Sequence, residues 1–299
     1  MVKSAVDISP ISQLKKENND LISDDYEKAC LLNNYFCFIS TLNDSNTSKP
    51  DFPLRLILLS AVGKVFERIV FKEVFNHLTS NNLLHKFQSG FIPDHSTVHQ
   101  LIEVYYRIYM SLDDHFFTTL ILCDIFRAFD RVWHTGLLLK LKAYGIDGKL
   151  FKWFESYISS SKQCVCVNNS KYTLVNTNAG VPHVSVLVPL LFLLYVNDIA
   201  DNLLSLTRLC ADDTSLSYSN QSAYTIEDVM NSDLESISIW SKQWLVNFNP
   251  LKIKTMIFSN INLPTDVEIA FQDKLVEFVT CHKHLGITFD KWKISYPYS

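Results

Sequence analysis

No apolar run in this 299-residue chain is long enough to cross a bilayer as a helix. The longest, Val184 to Val196, is interrupted by Ser185 and Pro189 and falls short of the roughly 20 residues a span requires. It predicts a buried core helix and no membrane partner. The opening MVKSAVDISPISQLKK lacks an apolar h-region and a small-residue cleavage site, so it is not a secretory signal. An intracellular protein, nuclear or cytoplasmic and not secreted, is expected. The 7 cysteines include no C-x-x-C pair and no His partner at zinc spacing, which predicts reduced, mostly buried thiols. Cys164 and Cys166 alternate along an apparent strand, a spacing that suggests packing rather than ligation. Nor is there an excess of positive charge: 27 Lys and Arg against 31 Asp and Glu give a net charge of −4, which argues against a surface that binds nucleic acid everywhere. Internal repeats are absent, and oligomeric state leaves no mark on the sequence.

What is present is core-forming material, with 47% of residues apolar. The first fifty residues are polar, with a short helical pattern around Tyr26 to Phe38, and they end in the linker TLNDSNTSKPDF. Residues 1–51 are therefore read as a polar N-terminal segment and linker, with the core beginning after it. From Val62 the apolar positions Val65, Phe66, Ile69, Val70, Val74, Phe75 and Leu78 have helical spacing, with Lys64, Arg68 and Lys72 on the outer face. A second helix starts near Thr225, with Thr225 and Asp228 as a possible capping box and a stripe from Ile226 to Trp244. Strands are predicted in FFTTLILCDIF, in QCVCVNNSKYTLV as two strands around a turn, and in LTRLCADDTSLSYS. Helices interleaved with antiparallel hairpins indicate an α+β fold. Between Phe126 and Val175, Arg127, Arg131, Lys140, Lys142, Lys149, Lys152, Lys162 and Lys171 outnumber Asp130, Asp147 and Glu155, so a basic face there could meet phosphates or simply solvate helices.

Three carboxylates stand where strands end or turn: Asp124 after TLILC, and Asp212 with Asp213 in CADD. Brought together, they suit Mg²⁺, which prefers carboxylate and phosphate oxygens. Two such ions about 3.5–4 Å apart serve in-line phosphoryl transfer. Taken singly, each Asp is more simply a turn former or helix cap.

Successive blocks settle the weight. RLILLSAVGKVFERIV, QSGFIPDHSTVHQL, CDIFRAFDRVWH, AGVPHVSVLVPLLF, CADD, WLVNFNPLKIKTMIFS and HKHLGITF follow one another in the order found in non-LTR (LINE-type, jockey-like) retrotransposon reverse transcriptases, and the chain resembles that family from Leu54 to Phe289. The resemblance implies an RNA-directed DNA polymerase. It would have a palm of antiparallel sheet with packed helices, and it would take Mg²⁺ (Mn²⁺ possible), an RNA template, a DNA primer and dNTPs. It makes Asp124, Asp212 and Asp213 metal-binding and catalytic and sets Lys252 near the triphosphate. Phe129 would lie below the sugar, excluding a ribose 2′-OH. Ala179, Gly180, Pro182, His183 and Val184 form the nucleotide pocket, and His284, Leu285 and Gly286 the primer grip. Asp130 is read as a cap or salt-bridge partner, and His95, His99 and His134 as structural.

The chain also departs from the family pattern. His183 replaces a Gln, and Val184 and Val188 replace glycines, with Val184 adding β-branched bulk where backbone would approach the nucleotide. Phe126, Asp94 and Leu56 are further departures. A long fingers segment expected between Asn46 and Asp51 is missing, no endonuclease domain precedes, and only KWKISYPYS follows Asp290. The expectation is a truncated copy: a reverse-transcriptase domain over 52–290 with reduced fingers, no complete thumb and a tail at 291–299. The alternatives left open are a catalytically inactive relic or a nucleic-acid-binding module.

Overall fold

A computed structural model describes residues 6–8, 14–15, 21–22, 24–39, 61–93, 95–159, 162–163, 165–167, 170–171, 175–181, 185–249, 252–260, 267–290 and 294–295. In chain order its longer elements are helices α1 (Asp25–Ile39), α2 (Ala61–Ser80) and α3 (Thr97–Asp113), then strand β1 (Phe117–Asp124) and helices α4 (His134–Ala143), α5 (Gly148–Ser159) and α6 (Val188–Val196). Strands β2 (Leu206–Cys210) and β3 (Asp213–Asn220), helix α7 (Ala223–Gln243) and strands β4 (Lys254–Phe258), β5 (Glu277–Phe278), β6 (Cys281–His284) and β7 (Ile287–Asp290) follow. The class is α+β. The chain divides into two compact units, residues 1–83 with 127–195 and residues 84–126 with 196–299.

The second unit is built on a five-stranded sheet in the order β5-β4-β1-β3-β2. β1 is its centre, antiparallel to β3 on one side and to β4 on the other. A strand flanked on both edges and covered on both faces should be apolar throughout rather than alternating. TLILC meets that demand, and Phe117 to Cys123 are all buried. One face packs against α3 through Leu101, Val104 and Ile108, which join Leu120, Leu122, Met256, Phe258, Ile287 and Phe289 in one cluster. α3 begins where Ser96 accepts a hydrogen bond from the His99 N–H at 3.3 Å, a serine cap on an extended residue. α7 begins at Ala223 under a Ser222 cap, whose hydroxyl accepts from the Thr225 N–H. Thr225 is thus the recipient of the cap and not the cap itself.

The first unit holds α1, α2, α4, α5 and α6. On α2 the buried positions are Glu67, Val70, Val74 and Leu78, while Val65, Phe66 and Ile69 are exposed, Val65 at 55%. The helix is therefore rotated from the face its apolar residues predict. The cause lies in distant sequence: Glu67 Oε1 sits 3.0 Å from the Tyr157 hydroxyl, and its Oε2 accepts from the Val186 N–H at 3.0 Å. A buried carboxylate with partners for both oxygens outweighs the exposure of three apolar side chains. Lys140 likewise leaves the expected basic face, being buried with its Nζ donating to the Tyr195 carbonyl at 2.5 Å.

Described N-terminal residues find their partners within the first unit. Val6–Ile8 pairs parallel with Val165–Val167, and α1 packs against that strand and Ser170–Lys171. A strand with an open edge offers unpaired N–H and C=O groups that recruit such a partner. The QCVCVNNSKYTLV segment forms antiparallel pairs as expected, Cys166 opposite Lys171 and Gln163 opposite Val175. The Cys164 and Cys166 side chains, the block at 51–60 and the segment between Asn46 and Asp51 lie outside the described residues. α6 is buried except at half-buried Pro189, and no helix among the described residues is long and apolar enough to cross a membrane.

Candidate active site

β1 ends at Asp124 because its neighbours take over the backbone there. The Ile125 N–H donates to the Asp212 carbonyl at 3.1 Å and the Phe126 N–H to the Asn247 carbonyl at 2.7 Å, while the Asp124 carbonyl accepts from the Asn249 N–H at 3.1 Å. Across the ladder Asp213 stands directly opposite Asp124 on one side and opposite Cys210 on the other. Ala211 and Asp212 form the two-residue turn between them, with Ala211 in the left-handed region at φ 57°. Residues 89 apart in sequence, Asp124 and Asp213, are thereby fixed as strand neighbours. The side-chain Oδ2 of Asp124 accepts from Lys252 Nζ at 2.9 Å, and Lys252 is itself held by its N–H to the Asn249 carbonyl. So Asp124, Asp212, Asp213 and Lys252, all chosen from sequence, come together in one unit.

Their electrostatics are those of crowded acid. Burial first, then the charges of Asp212 and Asp124, push the Asp213 carboxyl up to about 6, with Lys252 opposing. Lys252 is raised above its ordinary value by its hydrogen bond and charge attraction to Asp124, so its ammonium stays protonated at neutral pH. Burial and the two adjacent carboxylates push Cys210 up to about 11, and burial alone pushes Cys123 up to about 12, so neither is a thiolate nucleophile. The donor set is hard oxygen, the type that divalent Mg²⁺ takes. Among the described residues no three His, Cys, Asp or Glu side chains converge into a ligand cluster, and the Lys252 ammonium is the cation that Asp124 faces.

The turn has a support that sequence reasoning passed over. Phe87 to Ser89 runs along the outer edge of β2, the Ser89 N–H donating to the Leu209 carbonyl at 2.9 Å and the Leu209 N–H to the Phe87 carbonyl at 3.2 Å. Gly90 then abuts the turn so closely that a Cβ there would stand 2.2 Å from the Ala211 nitrogen. Buried Gln88 turns its Oε1 back to accept from the Gly90 N–H at 2.8 Å. A Gln-x-Gly in a loop was the available signal.

The expected primer-grip residues lie in the same unit. β6 and β7 pair antiparallel, His284 opposite Ile287, across a turn in which Leu285 and Gly286 have φ 49° and 84°. Two consecutive left-handed residues explain the glycine. His284 is buried, and burial with the charge of His282 lowers it to about 4, so its ring is neutral.

The expected nucleotide-pocket residues lie in the first unit. Phe129 occupies a 3-10 turn, Ala128–Arg131, and its carbonyl accepts from the Val181 N–H at 2.9 Å. The Gly180 N–H donates to the Val132 carbonyl, and Ala179 bridges Trp133. The His134 ring lies 2.8 Å from the Gly180 carbonyl, a structural role as expected. Phe129, Ala179 and Gly180 are thus brought together, with the Phe129 ring against Phe192 at 4.8 Å. Pro182, His183 and Val184 lie outside the described residues. Val188, the other replaced glycine, is the buried first residue of α6. Asp130 sits inside the 3-10 turn, whose cap position is Arg127, so it is not a cap.

Comparison with known proteins points to one family. The family described as reverse transcriptase (RNA-dependent DNA polymerase) matches residues 47–289. The probable RNA-directed DNA polymerase from transposon BS of Drosophila melanogaster is 31% identical over 243 residues, covering 78% of this chain and 27% of the relative. The RNA-directed DNA polymerase from mobile element jockey of the same organism is 28% identical over 242 residues, covering 78% of this chain and 26% of the relative. The chain thus spans about a quarter of the length of these relatives. Among solved structures, apo telomerase from Candida tropicalis, truncated of its C-terminal domain, matches with a TM-score of 0.53 at 14% identity, covering 86% of this chain and 51% of the other. That likeness concerns the fold.

Proposed function

Because the chain belongs to the reverse transcriptase (RNA-dependent DNA polymerase) family, we propose that it serves as the polymerase domain of a jockey-like non-LTR retrotransposon. It copies an RNA template by adding dNTPs to a DNA primer 3′-OH. The domain spans 52–290, with the five-stranded sheet as its palm and α2 and α3 as the remnant of its fingers. The observation that supports this best is the strand register that sets Asp213 opposite Asp124, with Lys252 on the latter.

Asp124 and Asp212 are the principal carboxylates for Mg²⁺, or Mn²⁺ in its place, and Asp213 supports them. Such an ion supplies Lewis-acid stabilisation of the attacking and leaving oxygens. Lys252, protonated at Nζ, supplies positive charge and a proton for the departing pyrophosphate. Phe129, steadied by Phe192, excludes the ribose 2′-OH. Ala179, Gly180, Pro182, His183 and Val184 line the nucleotide, and neutral His284, with Leu285 and Gly286, holds the primer end.

The substitutions His183 and Val184 favour a second reading, a domain that binds nucleic acid without extending primers. Productive transfer needs alignment, and a misplacement of about 1 Å costs about a hundredfold in rate. Primer extension on an RNA template by the purified chain separates the two. Slow, Asp212-dependent extension that rises in a His183→Gln/Val184→Gly variant supports the polymerase. Nucleic-acid binding with no extension in either chain supports the second reading.

A further inference from the structure

Arg208 is a charged residue in the middle of an apolar strand, LTRLC, and it is only 3% exposed. It lies on β2 two residues before Cys210, the residue that stands opposite Asp213. Methionine would fill such a position with less penalty. A guanidinium loses its hydration on burial, and replacing a buried ion pair by apolar residues of similar volume is often neutral or stabilising. The penalty is visible here, since Nε and Nη1 are buried without an acceptor among the described residues. Stabilising the strand is therefore a poor explanation of Arg208.

Its two contacts reach different elements. Nη2 pairs with Glu103 on α3, and the guanidinium lies over the half-buried Phe87 ring at 3.9 Å. Phe87 opens the segment that runs along the outer edge of β2. No ladder holds that segment: its pairing is an isolated bridge between Gln88 and Leu209, made by the two backbone bonds to Leu209. Past the bridge Gln88 ties the Gly90 N–H, and Gly90 leaves no room for a Cβ against Ala211 and Cys210. Ala211 depends on such a neighbour. Its φ of 57° is a left-handed conformation that an L-residue adopts at a cost, and such conformations persist where the surroundings enforce them. Asp212 follows directly in the chain.

We propose that Arg208 is a positioning residue of the active site: it clamps the Phe87–Gly90 segment to α3 and β2, and that segment holds Ala211, and with it Asp212, in the geometry that takes a metal ion. Arginine suits this role because one planar group stacks on an aromatic face and donates from its edge at the same time. This role rests on the reading of Asp124, Asp212 and Asp213 as the metal-binding carboxylates, and it adds a residue that touches neither metal nor substrate. Removing Arg208 strands no carboxylate, since Glu103 keeps Arg107 as a partner at 3.3 Å. Loss of the clamp is thereby separable from loss of the fold.

The test uses the full chain and its Arg208→Met, Arg208→Lys and Phe87→Leu variants. NMR follows the amide signals and hydrogen exchange of Ser89, Leu209, Ala211 and Asp212, and water-proton relaxation follows Mn²⁺ binding. Arg208→Met is expected to leave the urea midpoint unchanged or higher. It should speed exchange at Ser89 and Leu209 about tenfold, shift the Ala211 and Asp212 signals, and weaken Mn²⁺ binding about tenfold, the scale for losing a group that orients a metal ligand. In primer extension kcat should fall by a similar factor with the KM for primer unchanged. Arg208→Lys, which keeps a cation for the ring, should recover part of each loss. Phe87→Leu should reproduce the Arg208→Met changes, and the double variant should be no worse than either, because the two residues act through one contact. The clamp is overturned if Arg208→Met lowers the urea midpoint while the four amides and the Mn²⁺ affinity of the folded chain match the parent. Losses that simply add in the double variant overturn it as well. Should Arg208→Met fail to fold, Phe87→Leu decides through the same signals. A parent chain that binds no Mn²⁺ and extends no primer sinks the polymerase reading instead, and the Ala211 and Asp212 amides then decide the clamp.

Discussion

Asp213 is fixed from both sides, by Asp124 across one ladder and Cys210 across the other, whereas Ala179 and Gly180 reach their place through single backbone bonds to residues 129–134. Both halves of the proposed chemistry are thus held by main-chain hydrogen bonds, which every side chain supplies equally, but a central ladder repeats those bonds along a strand while residues 178–181 make only a few. A change that disturbs the backbone should therefore matter more beside Ala179 and Gly180 than beside the carboxylates.

The sharpest way to break this comparison is to remove a carboxylate. Asp124→Ala and Asp212→Ala should each lower primer extension by about a hundred- to a thousandfold or more, the scale for losing a principal electrostatic stabiliser of the transition state. Unfolding by urea should change little in Asp212→Ala, because the turn's backbone remains. Extension that survives both changes would falsify the assignment of the site.

Next in size is the support beneath the turn. Gly90→Ala must displace backbone at Ala211, and overpacking of that kind costs about 1–3 kcal/mol. Gly148→Ala is the control: it has φ +64° but open space around it, and should cost about 1 kcal/mol. Urea midpoints compare the two. Equal losses would mean that the contact with Ala211 contributes nothing beyond backbone conformation.

A loss of the same order is expected in the other unit. Glu67→Ala leaves the Val186 N–H without its acceptor and the Tyr157 hydroxyl with Ser185 alone, at a cost of about 1–3 kcal/mol, and Glu67→Gln should recover part of it. The Tyr157 hydroxyl also lies 2.5 Å from Ser185 Oγ, so the change should propagate to the residues entering α6. Faster amide exchange at Val186 and Leu187 is the readout. Unchanged exchange there would show that this segment is held by something other than Glu67.

Much of this was legible in the sequence, and for identifiable reasons. TLILC is apolar on both faces because β1 is central, and Ala-Asp between two strands is a short turn, so the carboxylates could be located before their contacts were known. Lys252 came from the resemblance, and its ion pair with Asp124 spans 128 residues, beyond the reach of any local pattern. The failures share one cause. Glu67, Lys140 and Arg208 are charged residues that are buried because a partner from far along the chain meets them, and period-based reading assigns every charge to the outside. The pairing of Val6–Ile8 with Val165–Val167 is a main-chain event of a kind that polar composition does not record.

The smallest effect concerns the crowding of acid itself. Asp213 holds its proton to about pH 6 in the folded chain, against 3.8 for the unperturbed group. The folded state therefore binds more protons than the unfolded state between those values, and stability falls as pH rises from about 4 to about 6. Above that window the ionised carboxylate is a fixed cost. Since the group is only partly buried, screening reduces that cost to about 1 kcal/mol. Asp213→Asn should accordingly be more stable than the parent by about that amount at pH 7.5, with the gap closing below pH 4, as read from urea unfolding across pH. Added Mg²⁺ should narrow the gap at pH 7.5 and leave it unchanged at pH 4, because only the ionised carboxylate attracts the cation. A gap that is constant across pH would assign the effect of Asp213→Asn to packing, and the carboxylates would then be neighbours in register without being neighbours in charge.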